Sequence, residues 1–437
     1  MNAPDAVATL SVHKNESLLF FTLLQLAVIV IAGRLGEGLA KSCRQAPVVG
    51  AIIAGILLGP SLFGWLAPDP FNFVFHSSAP EPLQVLSGLG LVLVMFQIGL
   101  EFDFSHLTQK DNRRTVIVLA AAGLIVPFAI GLAFGYYSAP TLSPEANRLY
   151  SALFVATAFS ITALPVLGRI MIELGITRTR LGVIAISAAA INDVVGWIML
   201  ALVTALSAAT FDSGQFGVRV ALVTAFILVS IYLVRPLLKR AVRLSNPREG
   251  RMSANLLAGI LVVAFVAAMT TYQLGVFAIF GAFMMGVILF DERELVRAWR
   301  ERMGGLVTVF FLPLFFTYTG LRTSIGGVGT LEAWGWCAVV VILATIAKFG
   351  AAYAAARYSR LNHVESAVLG YMMNTRGLME LVVINVGYDL GVISQQMFTM
   401  LVIMAIVSTV ITTPALRHYL KLADWWAGRE SNARPTD

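Results

Sequence analysis

Apolar runs long enough to cross a hydrocarbon layer, which takes about 17–25 helical residues, alternate with short polar connections along almost the whole chain. Thirteen such runs are read, at 17–33, 46–60, 83–100, 115–138, 149–168, 181–207, 216–234, 253–272, 274–290, 305–321, 333–356, 364–387 and 395–416. The second and ninth are short, and the boundary between the eighth and ninth falls near Leu274-Gly275. The pattern predicts an all-α polytopic membrane protein of about 13 transmembrane helices. Residues 1–16 read as a polar extension and 417–437 as a short tail, so residues 1–437 are expected to form a single membrane domain with no room for a soluble regulatory one. The first run lacks a small-residue cleavage site before Arg34, which predicts a retained helix and not a removed signal.

Composition agrees with that pattern. The 437 residues are 58% hydrophobic and 13% charged, and the mean hydropathy is +0.81, too apolar for a soluble protein of this size. The formal charge of +7 would fit nucleic acid or acidic lipid, but the basic residues sort by side of the membrane. Lys14, Arg148, Arg219 and Arg322 fall at the N-terminus or in or beside the even connections, Arg219 at the start of the seventh run, and Lys348 and Arg376 lie well inside spans. The remaining 25 of the 31 Lys and Arg fall in the odd connections and the tail. The positive-inside rule then predicts an outside N-terminus and a cytoplasmic C-terminus in the inner (plasma) membrane, which requires an odd number of crossings. No nucleic-acid partner is expected. Cys43 and Cys337 are too few and too badly placed for a disulfide framework.

Two spans are broken at matching places. The fifth reads Phe154-Val-Ala-Thr-Ala-Phe-Ser-Ile-Thr-Ala-Leu-Pro165. Pro165 donates no hydrogen bond and crowds the preceding turn, so the helix is expected to open around residues 157–162. The twelfth reads Met373-Asn374-Thr375-Arg376-Gly377-Leu378-Met379-Glu380, polar and glycine-broken at mid-span. Segments five and twelve are seven apart, the spacing that two inverted six-span repeats joined by one linking span demand, and the basic connection Arg235–Met252 near the midpoint is expected to act as a hinge. Irregular backbone survives at membrane depth only where protein or a wet cavity satisfies it, so the paired breaks point to a binding site between them. The plain alternative is a pair of tolerated kinks.

Four charges lie well inside spans: Asp193, Lys348, Arg376 and Glu380. At 1.5 Å per residue Asp193 sits roughly 18 Å from Leu181, near the bilayer centre. A central Asp costs roughly 2.5–3.5 kcal/mol to insert, so a chain that keeps one uses it to handle ions or protons. Low dielectric favours the neutral acid and a nearby cation favours the carboxylate, so such a group can exchange a proton for a metal cation. Asn192 beside it cannot ionise. One carboxylate carries one proton, which predicts exchange of one monovalent cation per proton with no net charge moved. Thr157, Ser160 and Thr162 around the first break offer hydroxyl and carbonyl oxygens suited to an alkali cation. Arg376 and Asn374 in the second break are expected to balance the dipoles of the broken helix ends. Glu380, four residues after Arg376, is expected to form an intrahelical ion pair with it.

Other signals read as structural. Gly55-Ile-Leu-Leu-Gly59 has the small-xxx-small spacing of close helix contact, and internal packing is favoured over dimerisation. Gln97, Glu101 and Asp103 read as a solvated helix end. Asp291 to Met303, with Trp299, is a basic amphipathic stretch expected to lie on the inner membrane surface. Trp425-Trp426 reads as an interfacial anchor. His13, His76, His106, His363 and His418 have no ligand-spaced partners, so no metal centre beyond a transported alkali cation and no cofactor are expected. No phosphate-binding loop, nucleophile elbow or HExxH sequence occurs, so the chain does not read as an enzyme.

Thr157-Ala-Phe-Ser-Ile-Thr-Ala-Leu-Pro165, Asn192-Asp193, Lys348 and Asn374-Thr-Arg-Gly-Leu-Met-Glu-Leu381, in this order, resemble the monovalent cation:proton antiporter-2 family, most of all its Kef-type and cation/proton exchanger members. The resemblance spans 17–416. It implies the sodium/proton antiporter fold, a homodimer, and a core domain of segments 4–6 and 11–13 that moves like an elevator against a scaffold of segments 1–3 and 8–10. It also implies exchange of K⁺ or Na⁺ for H⁺, with potassium favoured. Asp193 matches the ion-binding carboxylate. Lys348 matches the core lysine that, in electrogenic relatives, pairs with an acid at the position of Asn192. A cation channel and a non-transporting membrane sensor are the rival readings.

Overall fold

In the computed structural model, residues 3–75, 81–101, 113–176, 179–207, 213–245, 252–274 and 277–432 are described. Every regular element among them is helical. The first half of the chain forms α1 (Ala3–Ser42), α2 (Pro47–Leu58), α3 (Phe63–Leu66), α4 (Pro68–Phe75), α5 (Glu81–Glu101), α6 (Arg113–Leu142), α7 (Arg148–Ser160), α8 (Leu164–Glu173), α9 (Arg180–Ser207) and α10 (Ser213–Val229). The second half forms α11 (Arg235–Ser245), α12 (Ala254–Gln273), α13 (Ala278–Val287), α14 (Arg293–Trp299), α15 (Leu312–Leu321), α16 (Leu331–Tyr358), α17 (His363–Met373), α18 (Leu378–Asp389) and α19 (Gln395–Asn432).

Nine helices among the described residues are long and apolar enough to cross a membrane, and two bent pairs raise this to 11. The bent pairs are Arg293–Gly304 with Val307–Val328, at 52°, and His363–Met373 with Leu378–Asp389, at 41°. The two other runs read in the sequence are α7 with α8, interrupted at residues 161–163, and α13, only ten residues long. Polar residues start several helices where the sequence turns apolar. Asn147 accepts from the backbone N–H of Leu149 and Tyr150 at α7, Ser253 from Leu256 at α12 and Thr330 from Ala333 at α16. Asn362 and Glu365 form a reciprocal capping box at α17, which satisfies N–H groups that a helix start leaves free.

Several expectations need correction. The polar extension is helical from Ala3, and the last helix continues through the tail to Asn432. The first part of the basic stretch after segment seven is helical: a π-turn at Ser230–Val234 carries α10 into α11 as far as Ser245, and residues 246–251 lie outside the described residues. Lys and Arg are good helix formers and reach water along their apolar stems, so a basic run need not end a helix. Arg235 donates to Asp291 at 3.0 Å and Lys239 pairs with the same carboxylate. Partial burial pushes that carboxyl up, but the two cations outweigh it and hold it below the usual range. Trp299 is not an interfacial anchor. It is 1% exposed and packs edge-on to Phe96, with ring centroids 4.7 Å apart, because α14 packs on α5 and turns this face inward. Asp103, His76 and His106 lie outside the described residues, as do the side chains of Trp425 and Trp426.

Gly55 serves internal packing, as expected: a Cβ there would stand 2.3 Å from the carbonyl oxygen of Thr317 on α15. Gly377 combines two constraints: a φ of +157° and a Cβ position that would stand 2.7 Å from Val166 Cγ2 of α8. Gly377→Ala is expected to cost about 1–3 kcal/mol through strain and overlap. Gly391→Ala, at φ +67° with open space around it, is the control, expected to cost about 1–2 kcal/mol from conformation alone. Thermal unfolding of both purified variants checks the order.

Candidate functional site

The site is built where two broken helices meet. α7 stops at Ser160, residues 161–163 run extended, and α8 resumes at Leu164. The opening is therefore displaced from the expected 157–162: Thr157 and Ser160 remain in the last turns of α7, and of the hydroxyl residues only Thr162 lies in the break. Pro165 is the second residue of α8, where its missing N–H falls among the donors a helix start leaves free. The break is fixed instead by pairing with its counterpart. Ala163 N–H donates to the Thr375 carbonyl at 3.0 Å, and Thr162 Oγ1 donates to the Met373 carbonyl at 3.1 Å. The counterpart, residues 374–377, separates α17 from α18, and Gly377 stands at the start of α18. The two breaks thus satisfy each other's backbone, as irregular chain at membrane depth requires.

Three buried charges are arranged on this crossing with the sign that helix dipoles demand. The C-terminal end of α7 carries partial negative charge from its free carbonyls, and two cations sit on it. Arg376 Nη1 donates to the Ala158 carbonyl at 2.9 Å, and Nη2 to the Phe159 and Ala344 carbonyls at 3.2 and 3.3 Å. Lys348 Nζ donates to the Ser160 carbonyl and, at 2.6 Å, to the Gly123 carbonyl of α6. Glu380 sits in the first turn of α18, the positive end, and accepts from Arg376 Nη1 at 2.9 Å. Lys348, Arg376 and Glu380 are each 0% exposed. The expected Arg376–Glu380 pair is present, but it is not intrahelical: Arg376 belongs to the break and Glu380 to α18.

Asp193 and Asn192 lie on α9, which packs against α6, α7, α8 and α17. Asp193 is 1% exposed, so it does not face lipid. The same stretch of α9 lies against the first break and the start of α18. A Cβ on Gly196 would lie 2.9 Å from Ile161 Cγ1 and 3.5 Å from Met379 Cε, and one on Gly123 would lie 3.5 Å from both Asn192 Nδ2 and Met373 Cε. Buried polar atoms of α9 and of the break that follows its packing partner α17 are left without protein partners: Asp193 Oδ1, both side-chain atoms of Asn192 and of Asn374, and Thr375 Oγ1. Each unsatisfied buried polar group costs about 1–3 kcal/mol. A concentration of them on two facing elements marks a place that receives something polar from outside the protein. The Asn374 side chain, expected to help balance the helix-end dipoles, makes no hydrogen bond to the described residues. The hydroxyls of Thr157, Ser160 and Thr162 all donate to backbone carbonyls, which leaves their oxygen lone pairs free to accept or coordinate.

Two contributors escape the sequence pattern. Thr409 Oγ1 donates to the Arg376 carbonyl at 2.8 Å and accepts from the Arg376 N–H at 3.3 Å, tying the second break to α19. A signal for it exists in the sequence: Ser408, Thr409, Thr412 and Thr413 put four buried hydroxyls within six residues of the last apolar span. Gly123 contributes only a carbonyl, for which sequence carries no signal. Gln97 and Glu101 pair with each other and Glu101 with Arg300, at 3.3 Å each.

An all-helical membrane protein with two broken spans crossing close to the buried Asp193 has the architecture of a monovalent cation/proton antiporter, a transporter and not an enzyme. The chain belongs to the sodium/hydrogen exchanger family, whose transmembrane region matches residues 25–422. It is similar to the Na(+)/H(+) antiporter NhaS4 of Synechocystis, at 35% identity over 92% of this chain and 97% of that protein. It is also similar to the K(+)/H(+) antiporter 1 of Saccharomyces cerevisiae, at 32% identity over 92% of this chain and 46% of that protein. The chain thus spans nearly all of the cyanobacterial relative and about half of the yeast one. In fold it is similar to the sodium proton antiporter MjNhaP1 of Methanocaldococcus jannaschii, with a TM-score of 0.66 at 15% identity, covering 92% of this chain and 99% of that one.

Proposed function

We propose that this antiporter exchanges one K⁺ or Na⁺ for one H⁺, with Asp193 as the single group that holds either ion. The observation that carries the reading is a buried carboxylate whose Oδ1 has no protein partner, placed against two broken helices. Asn192 adds no second negative charge. Lys348 is held by the carbonyls of Ser160 and Gly123, not by an acid, which supports a fixed positive charge that balances α7 and takes no part in proton exchange. With one titrating group the cycle is electroneutral. Oxygens of Thr157, Ser160 and Thr162 together with Asp193 form the coordination shell, while Arg376 compensates the end of α7, Glu380 pairs with Arg376, and Asn374 adds amide dipoles at the second break. Relatives named for Na⁺ and for K⁺ both resemble this chain, and hydroxyl and carbonyl ligands suit either ion.

The broader proposal is a single membrane domain with thirteen crossings, counting α7 with α8 and α13. Its N-terminus is outside and its C-terminus cytoplasmic, following the charge bias. α7–α8 and α17–α18 are equivalent elements of two inverted repeats. Segments 4–6 and 11–13 move as a core past the scaffold, in a homodimer in the inner membrane. Proteoliposomes loaded in turn with Li⁺, Na⁺, K⁺ and Rb⁺ provide the test. A cation gradient is expected to drive proton movement at a rate that an imposed membrane potential does not change. Strong acceleration by the potential would contradict one-for-one exchange, and single-channel currents in a planar bilayer would favour the channel reading.

A further inference from the structure

At one end of the α1–α2 pair lie two features that the exchange site does not use. The chain leaves α1 through Arg44, which has φ +57°. The Arg44 N–H donates to the Lys41 carbonyl at 2.9 Å, and that of Gln45 to the Ala40 carbonyl at 2.7 Å. This tight turn faces the late part of α19, where Arg417, His418 and Lys421 line a pocket of about 350 Å³ together with Cys43, Arg44 and Gln45. No acidic side chain among the described residues lines it. The pocket therefore concentrates three permanent positive charges and a histidine in one concavity, between two elements far apart in sequence.

An apolar groove of about 670 Å³ begins at the same place. Cys43 and Gln45 line both spaces, and the groove runs on along Leu35, Leu39, Ile53 and Leu57, with Val410 of α19 on its flank. Leu35 and Leu39 are 63% and 67% exposed. A cationic concavity continuous with an apolar trough has the complementary shape and charge of one molecular class, an amphiphile with an anionic head. Basic pockets between membrane helices hold anionic headgroups, each nearby Lys or Arg contributing about 1 kcal/mol.

We propose that this joined pocket and groove binds one anionic phospholipid, its phosphate seated on Arg44, Arg417 and Lys421 and an acyl chain laid against Leu35 and Leu39. The lipid bridges the α1–α2 turn to α19, and all three cations belong to the basic side of the chain's charge bias, where anionic lipid surfaces attract them. The site stands independently of the exchange reading, since binding and transport are measured separately.

The test uses the purified full chain in neutral detergent. Native mass spectrometry counts bound phosphatidylglycerol against phosphatidylcholine of the same chains, and thermal unfolding compares each lipid with inorganic phosphate. The wild type is expected to prefer phosphatidylglycerol. Arg417→Gln with Lys421→Gln is expected to lower that preference about 25-fold, at roughly fivefold per cation removed. If the double variant does not fold, Arg417→Gln alone carries the comparison at about fivefold. Leu39→Trp, which fills the groove at an exposed position, is expected to weaken phosphatidylglycerol binding and leave the response to inorganic phosphate unchanged. Equal binding of both lipids, or a preference that survives the double substitution, overturns the proposal. So does protection by inorganic phosphate that matches the lipid's and ignores Leu39→Trp, which would make the pocket a site for free anions.

Discussion

Asp193→Asn is expected to reduce cation-driven proton movement in proteoliposomes to the level of protein-free vesicles, for every alkali cation tested. Asn keeps the shape of the side chain and removes its ability to exchange a proton for a metal ion, so the loss is one of chemistry and not of packing. Stability supplies the control. A buried charge is costly to desolvate, and Asp193 Oδ1 has no protein partner to lose, so thermal stability in detergent is expected to stay level or rise. An inactive variant that also unfolds early would say nothing about exchange, whereas a stable variant with full activity would remove Asp193 from the mechanism. The wild type adds a graded form of the same test. If H⁺ and cation compete for one group, acidification is expected to raise the apparent KM for the cation by up to about tenfold per pH unit while the maximal rate at saturating cation holds.

The second large effect is expected at the crossing. Removing one member of a buried ion pair typically costs about 3–5 kcal/mol, because the other is left uncompensated. The two members of Arg376–Glu380 are not equivalent. Arg376 also serves the carbonyls of Ala158, Phe159 and Ala344, whereas Glu380 Oε2 has no partner. Arg376→Met is therefore expected to be the more damaging, since it strands Glu380 and uncaps the end of α7 together. Glu380→Met leaves Arg376 its three carbonyls and is expected to fall at the lower end of the range. The double variant is expected to lose less than the sum of the two. Thermal unfolding of the three variants measures this, and strictly additive losses would show that the pair contributes no coupling.

How much of this was legible in the sequence follows from which features carry an energetic signature of their own. Asp193, Lys348, Arg376 and Glu380 stand out because a charge in an apolar span is expensive whatever surrounds it. Gly377 stands out because a helix interior disfavours glycine. The exact site of the first break does not, because hydrogen bonds from Ala163 and Thr162 to residues over 200 positions away decide it, and no local preference encodes those partners. Gly123 acts through its carbonyl, which every residue possesses. Trp299 misled for a related reason: a basic amphipathic turn looks the same whether its apolar face meets lipid or Phe96. The run from Arg235 to Ser245 shows that a cluster of basic residues does not by itself mark a helix end.

The central claim is that proton and cation occupy the same carboxylate in turn, and proton release tests it most directly. Adding saturating Na⁺ or K⁺ to purified protein in weakly buffered detergent solution, with a pH indicator, counts the protons displaced per cation bound. One proton released per bound cation in the wild type, and none from Asp193→Asn, is the predicted result. Cation binding that releases no proton, or release that persists in Asp193→Asn, would contradict it.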